Sequence, residues 1–252
     1  MIDGRLEVGD AGATGRIVLH NLGTGRATFV IEELAWRKNA VTGDQAIARA
    51  VFRRYYPDQL LRPGDDVRIS NVVLLFIDLK GTTSHYDVIG DVPAYKLVRD
   101  QFVYLTEVVE SHRGSLIKTM GDAIMAAFSD GRNTVTGATQ LQSGVADFNR
   151  GRDDGGVVLK IGLPQGSCIA VTAAGKLDYF GSMVNLTARL QGENQGGDIV
   201  LSTDLADAVD LADLIPEAQR FEMARESGSL RGFDNSVDYW RRILQSDAPK
   251  RI

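Results

Sequence analysis

The chain has 252 residues, 44 % of them apolar, enough for one large domain or an ordinary domain with a small unit beside it. Net charge is −5 and no basic stripe runs along it, which excludes the electrostatic footprint of a nucleic-acid binder. The one cysteine, Cys168, excludes an internal disulfide, and no apolar run approaches the ~20 residues of a membrane span, so no membrane partner is expected and the expected location is cytoplasmic.

The opening MIDGRLEVGD is polar and lacks the apolar core of a signal peptide. RIVLHNL and RATFVIEEL alternate like strands about a Gly-rich turn. VTGDQAIARAVFRRYYP reads as a helix ended by Pro57, and LRPGDDVRIS as a turn into a strand. Residues 1–67 thus form a small β-rich unit with one helix, too small to be comfortably stable alone.

From about Ser70 the pattern becomes α/β, and the predicted domains are 1–67, 68–246 and a tail, 247–252. NVVLLFID is a continuous apolar run, as for a strand buried on both faces. A helix follows over VPAYKLVRDQFVYLTEVVESHRG, with Ala94, Leu97, Val98, Phe102, Leu105, Val108 and Val109 on one face and Gly114 closing it. SLIKTM and AIMAAF are short strands about Gly121-Asp122, a two-residue hairpin signal. Next come a helix at about Thr134–Asn149, a strand in VVLKIGL, and SCIAVTA and KLDYF around Gly175. SMVNLTARLQGENQ reads as a helix, GDIVLS as a strand, TDLADAVDLADLI as a helix and SVDYWRRIL as the last strand.

Three stretches carry polar groups at the ends of apolar runs: FIDLKG, KTMGDA and DYFGSMVNLTAR. Asp78 and Asp122 each fit a turn, which aspartate favours on its own. Taken jointly they suit a hard cation, since Mg²⁺ takes one or two carboxylates plus phosphate oxygens. Lys118 alone reads as a solvated lysine on a sheet, and Asp178 as a turn residue. As a pair, a donor and an acceptor match the ring nitrogen and amino group of adenine. Asn185 and Arg189, four apart, share a helix face, and an arginine there can neutralise the developing charge of a triphosphate. His20, His85 and His112 have no ligand or triad spacing, and neither a P-loop nor a dinucleotide fingerprint is present. Cys168 reads as a small buried apolar residue.

FIDLKGTT, GSLIKTMGDAIMAAF and LKIGL…LDYFGSMVNLTARLQ resemble, in order, the catalytic domain of class III nucleotidyl cyclases, over roughly residues 70–245. The resemblance implies an α/β (α+β) ferredoxin-like core working as a head-to-tail homodimer with shared active sites. It implies that Asp78, Asp122 and the backbone carbonyl of Leu79 hold two Mg²⁺ or Mn²⁺ ions per site. Lys118 and Asp178 match the adenine-selecting pair, Asn185 and Arg189 the ribose-orienting and transition-state groups. Arg231, in SLRGF, stands where a phosphate-binding lysine is usual. GTT replaces GFT or GST after the first aspartate, and Pro164 stands where histidine is frequent. The front region resembles the tail of a β-rich domain that precedes this cyclase type in some bacterial proteins, which implies a fragment or a shortened form. The expected activity is conversion of ATP to 3′,5′-cyclic AMP and pyrophosphate. The alternatives are a cyclase making cyclic GMP or a cyclic pyrimidine nucleotide, and a non-catalytic nucleotide-binding regulator.

Overall fold

The computed structural model describes Ala46, Tyr55 and residues 66–80, 90–151, 156–173, 176–214 and 223–243, all within one compact unit, Val41–Ile252. Ala46 and Tyr55 are helical, inside the helix expected there. The two strands expected before them, His20 and His85 lie outside the described residues.

Strand β1 (Asp66–Lys80) leads to helix α1 (Asp91–Ser111), the hairpin β2 (Ser115–Met120) and β3 (Ala123–Phe128), helix α2 (Gly131–Asn149) and β4 (Val158–Leu163). These strands lie in the order β2-β3-β1-β4, and β1 runs antiparallel to both of its neighbours in that row. This is the βαββαβ arrangement of a ferredoxin-like core. A second hairpin, β5 (Gln165–Ala173) and β6 (Lys176–Phe180), pairs with the front of β1. Helix α3 (Ser182–Glu193) and β7 (Asp198–Ser202) follow, then short helices α4 (Thr203–Ala208) and α5 (Leu211–Leu214), then β8 (Met223–Gly228) and β9 (Val237–Ile243). Strand β7 joins β4 in parallel, and β9 and β8 extend that edge, giving nine strands among the described residues. No helix among these residues is long and apolar enough to cross a membrane.

The alternation of β1 sorts the core into two layers. Val73, Leu75, Ile77 and Leu79 pack with α1 and α2, while Val72, Leu74 and Phe76 face the layer of Cys168, Leu177, Tyr179 and Met183. Helix α1 buries Ala94, Leu97, Val98, Leu105, Val108 and Val109 as expected, together with Gln101. Helix α2 begins earlier than its apolar face, because Asp130 caps it through a 2.8 Å bond from the Asn133 N–H. Cys168 is 3 % exposed, and burial pushes its thiol up to about 11, as suits a packing residue.

Three expectations change, and one strand was not foreseen. Asp66–Lys80 is one continuous strand rather than a short strand and a second run, and the turn expected in LRPGD lies outside the described residues. Helix α1 ends in a Schellman pair, Arg113 N–H to Glu110 and Gly114 N–H to Val109, and the left-handed residue is Arg113 (φ 63°), not Gly114. Gly114 is needed for room instead, since a Cβ there would lie 2.4 Å from the Phe128 ring. TDLADAVDLADLI is two short helices, broken where Val209 turns to an extended conformation and buries its side chain. Strand β8 has no apolar signature in MARESG, and its pairing with β9 comes from the sheet edge rather than from its own pattern.

Candidate active site

Asp78 continues the Val72–Leu74–Phe76 side of β1, the face away from α1 and α2. The β1–β3 register pairs Ile77 with Ile124, so one step further Asp78 lies across from Ala123 and beside Asp122. Asp122 is there because Met120 pairs with Ala123, leaving a two-residue turn in which Gly121 takes φ 64°. Burial, and then the neighbouring Asp122 charge, hold the Asp78 carboxyl above its ordinary range. The Leu79 N–H, Lys160 and Gln191 act the other way. Lys160 sits directly across β4 from Asp78, and Gln191 of α3 donates Nε2–H to Asp78 Oδ2 at 3.1 Å. Leu79 is next in the strand, with its side chain turned into the α1–α2 layer.

Lys118 reaches the same face as Asp78 by an irregularity. In the β2–β3 ladder Leu116 pairs with Ala126 and Lys118 with Met125, so Ile117 is an extra residue in β2. Leu116 and Ala126 belong to the α1–α2 side, whereas Met125 belongs to the opposite layer. Without the bulge Lys118 would follow Leu116 into the helical layer. With it, Lys118 Nζ donates to Asp178 Oδ2 at 2.8 Å. Asp178 lies between the buried Leu177 and Tyr179 on β6, and its Oδ1 accepts the Tyr179 N–H at 2.8 Å. The side chains are 35 % and 16 % exposed, so the pair is shielded yet open to a ligand.

Helix α3 carries Asn185 and Arg189, both exposed, one turn apart. Arg189 donates Nε–H to the Arg231 carbonyl at 3.0 Å, which sets its guanidinium beside the exposed Arg231. The structure therefore gathers the expected residues into three groups: Asp78 with Asp122, Lys118 with Asp178, and Asn185 and Arg189 with Arg231. Among the described residues no hydrogen bond or ion pair joins one group to another.

Two residues at this site escaped sequence reasoning, Lys160 and Gln191. The signal for Lys160 was its place in LKIGL opposite FIDLK once those strands pair. Gln191 follows Arg189 by two positions, so helical spacing alone points it away from the Asn185–Arg189 face.

The lower end of α3 is firmly held. A Cβ on Gly162 of β4 would lie 2.6 Å from the Gln191 backbone nitrogen, so glycine allows the helix to sit directly on the strand. Asn194 donates to the Ile161 carbonyl at 3.1 Å, and Arg241 donates to the Glu193 carbonyl at 2.9 Å. Arg241 also pairs with Asp198 and, at 2.8 Å, with Glu226, in a nearly closed network.

Asp78 and Asp122 offer only hard oxygen donors, and Asp78 is left short of positive charge. That suits a divalent cation held by two carboxylates with the remaining ligands from backbone and phosphate oxygens. Among the described residues no cluster of three or more His, Cys, Asp or Glu competes for it. A groove of about 460 Å³ between α1 and α2, lined by Tyr104, Gly144 and Phe148, lies on the other face of the sheet, remote from these groups.

Residues 65–240 match the model of the adenylate and guanylate cyclase catalytic domain. Adenylate cyclase 2 of Rhizobium meliloti is 29 % identical over 174 residues, covering 64 % of this chain and 47 % of the relative. An adenylate cyclase of Anabaena cylindrica is 22 % identical, covering 75 % and 42 %. The chain thus spans about half the length of these curated relatives. Among solved structures, the adenylyl cyclase CyaB of P. aeruginosa superposes with a TM-score of 0.61 at 17 % identity, covering 73 % of this chain and 98 % of that one. The guanylyl cyclase Cya2 gives 0.60 at 21 % identity, covering 75 % and 98 %. With most of its length matched by the family model and its fold shared with both kinds of enzyme, the chain belongs to the class III adenylate and guanylate cyclase catalytic-domain family.

Proposed function

We propose that this cyclase domain is an adenylate cyclase, converting ATP to 3′,5′-cyclic AMP and pyrophosphate. The observation that carries the choice of base is the Lys118–Asp178 ion pair. An ammonium offers only donors and a carboxylate only acceptors. Adenine presents the complement, an acceptor ring nitrogen and a donor amino group, whereas guanine reverses that edge. The fold does not choose between bases, because the similar structures include the guanylyl cyclase Cya2 and a rhodopsin-guanylyl cyclase core of converted specificity in complex with ATPαS.

Asp78, Asp122 and the Leu79 carbonyl would hold two divalent cations, Mg²⁺ or Mn²⁺. When bound, they supply Lewis-acid activation of the ribose 3′-hydroxyl and neutralise triphosphate charge. Lys118 and Asp178 fix the base, Asn185 orients the ribose, and Arg189 faces the α-phosphate, where charge builds up. Arg231 serves the outer phosphates. The 3′-oxygen bonds to the α-phosphorus as its proton passes to solvent water, and the bond from that phosphorus to the bridging oxygen breaks to release pyrophosphate. Two copies arranged head-to-tail complete each site, the aspartates of one facing Lys118, Asp178, Asn185 and Arg189 of the other. That no hydrogen bond or ion pair joins these groups within one chain, among the described residues, agrees with that reading. The proposed catalytic domain is 68–246, following the 1–67 unit.

The test is product formation from each of the four nucleoside triphosphates with Mn²⁺, read by mass spectrometry. Cyclic AMP as the dominant product is expected. Dominance of cyclic GMP or a cyclic pyrimidine nucleotide would replace the base assignment, and no product from any of the four would make the domain a non-catalytic nucleotide binder.

A further inference from the structure

We infer that Gln191 is a positioning residue for the metal-binding carboxylate of Asp78. Asp78 lies two residues before the end of β1, beside Asp122 of the hairpin and across from Lys160 of β4. A carboxylate in that setting needs donors to hold its orientation before a cation arrives. The Leu79 N–H is one, and the Gln191 amide is the other. Gln191 is 7 % exposed, and its Nε2–H is aimed at Oδ2 across the gap between α3 and β1.

The placement is built into the backbone on both sides. Gly162, without a side chain, lets the Gln191 backbone rest on β4, and the Asn194 and Glu193 bonds keep the helix end from sliding. Gly162 and Lys160 occupy the same face of β4, two residues apart, and Lys160 is the cross-strand partner of Asp78. The helix therefore comes down one strand over from the carboxylate, at the reach of a glutamine side chain. Partners that orient metal ligands typically change metal affinity 10- to 100-fold when removed. A glutamine that merely filled the core would instead affect stability and leave metal binding alone.

The inference rests on the proposal that Asp78 binds the metal, and the test separates the two. Mn²⁺ binding to the 252-residue chain is measured by titration calorimetry with 3′-deoxy-ATP, which lacks the attacking hydroxyl, and thermal unfolding is recorded in parallel. Gln191→Met and Gln191→Leu keep the bulk and remove the donor. They should weaken Mn²⁺ binding about 10-fold or more, with little change in 3′-deoxy-ATP binding without metal and only a small shift in unfolding temperature. Unchanged Mn²⁺ affinity in both variants overturns the inference, and so does a collapse of folding in both, which would make the amide a core group. Asp78→Asn is the control. If it binds Mn²⁺ like the unchanged protein, the metal assignment itself fails; if it loses Mn²⁺ while the Gln191 variants do not, only the role of Gln191 fails.

Discussion

Gly162→Ala tests how closely turnover depends on the seat of α3. The added Cβ would lie 2.6 Å from the Gln191 nitrogen, 2.9 Å from its Cα and 3.0 Å from its Cβ. Two of these are backbone atoms, so no rotamer change relieves them. Ordinary contact begins near 3.4 Å, so α3 must rise from β4 by about 0.8 Å. Overpacking of this kind costs about 1–3 kcal/mol, and loss of the glycine's unfolded-state freedom returns roughly 0.5 kcal/mol. The unfolding temperature should fall by a few degrees, at about 2–4 °C per kcal/mol for a domain of this size. Turnover should suffer more, because α3 carries Asn185, Arg189 and Gln191, and a displacement of about 1 Å can cost 10²-fold in rate. Gly144→Ala supplies the comparison. Its Cβ would meet the Tyr104 hydroxyl at 2.3 Å, between α1 and α2 on the far face, a clash with a side-chain tip that is relieved only by giving up its bonds to the Gln140 and Leu141 carbonyls. That variant should lose stability yet keep its turnover when assayed well below its unfolding temperature. Rates are read as cyclic nucleotide formed at saturating ATP and Mn²⁺, and unfolding by calorimetry. Equal small losses of rate in the two variants would refute the idea that α3 is positioned through Gly162.

Three further outcomes are expected. Asp78→Asn should abolish turnover and raise the unfolding temperature of the metal-free protein at neutral pH. With the folded carboxyl held above 3.8, the native state keeps its proton longer than the unfolded chain, so the stability contributed at this site falls as pH rises through that window. Calorimetry across pH 4 to 7 should show the gap between variant and unchanged protein opening with pH and closing on addition of Mn²⁺; a variant less stable at pH 7 without metal contradicts this. Mixed in equal amounts, Asp78→Ala and Arg189→Ala should regain about a quarter of full activity, since half of randomly assembled two-fold dimers are mixed and one site in two is then intact; no recovery with mixed dimers verified by mass would sink the shared site. ATP should be used in preference to GTP, by up to ~10⁴-fold, and Lys118→Glu combined with Asp178→Cys should shrink that preference; a GTP preference in the unchanged protein, in direct competition, ends the pairing argument.

Much of this molecule was legible where one local signal sufficed. The apolar run ending at Asp78, the Gly121–Asp122 hairpin and the α1 stripe each announce an element, and the motifs lie on them as expected. What escaped depended on contacts distant in sequence. MARESG forms a strand only because β9 offers it an edge. The split of α4 from α5 follows from burying Val209, which a helical period does not reveal. Gly114 looked like a helix terminator and is a space for Phe128. Gln191 was unreadable for the same reason, since its partner is 113 residues away and its reach depends on a glycine in a third element.

The departures from local regularity converge on one face. The Ile117 bulge breaks the alternation of β2, a glycine interrupts β4 one residue before its end, and two carboxylates share the ends of β1 and the hairpin with too little positive charge between them. Each is unfavourable taken alone: a bulge leaves a residue unpaired, a strand glycine packs nothing, and a half-buried carboxyl beside a second carboxylate resists ionisation. On the α1–α2 face the same strands obey the rules, with Val73, Leu75, Ile77, Ile124, Leu159 and Ile161 closed into the core. Sequences tend to break local rules where function requires it and to keep them elsewhere. The bulge turns Lys118 toward Asp178, the glycine admits α3, and the two carboxylates stand side by side at the proposed cation site. The sheet is therefore regular on the side that holds the fold and irregular on the side where the proposed chemistry occurs. Deleting Ile117 removes the bulge but leaves Lys118 directly after Leu116 and still opposite Met125, so its side chain keeps the Asp178 face while the buried Ile117 side chain is lost. The deletion should therefore cost stability and keep the preference for ATP, whereas Lys118→Met, which keeps the bulge, should cost nucleotide selection alone. A calorimetric scan of the two variants beside ATP and GTP turnover distinguishes them, and loss of the ATP preference in the deletion variant would show that pairing with Met125 is not what aims Lys118.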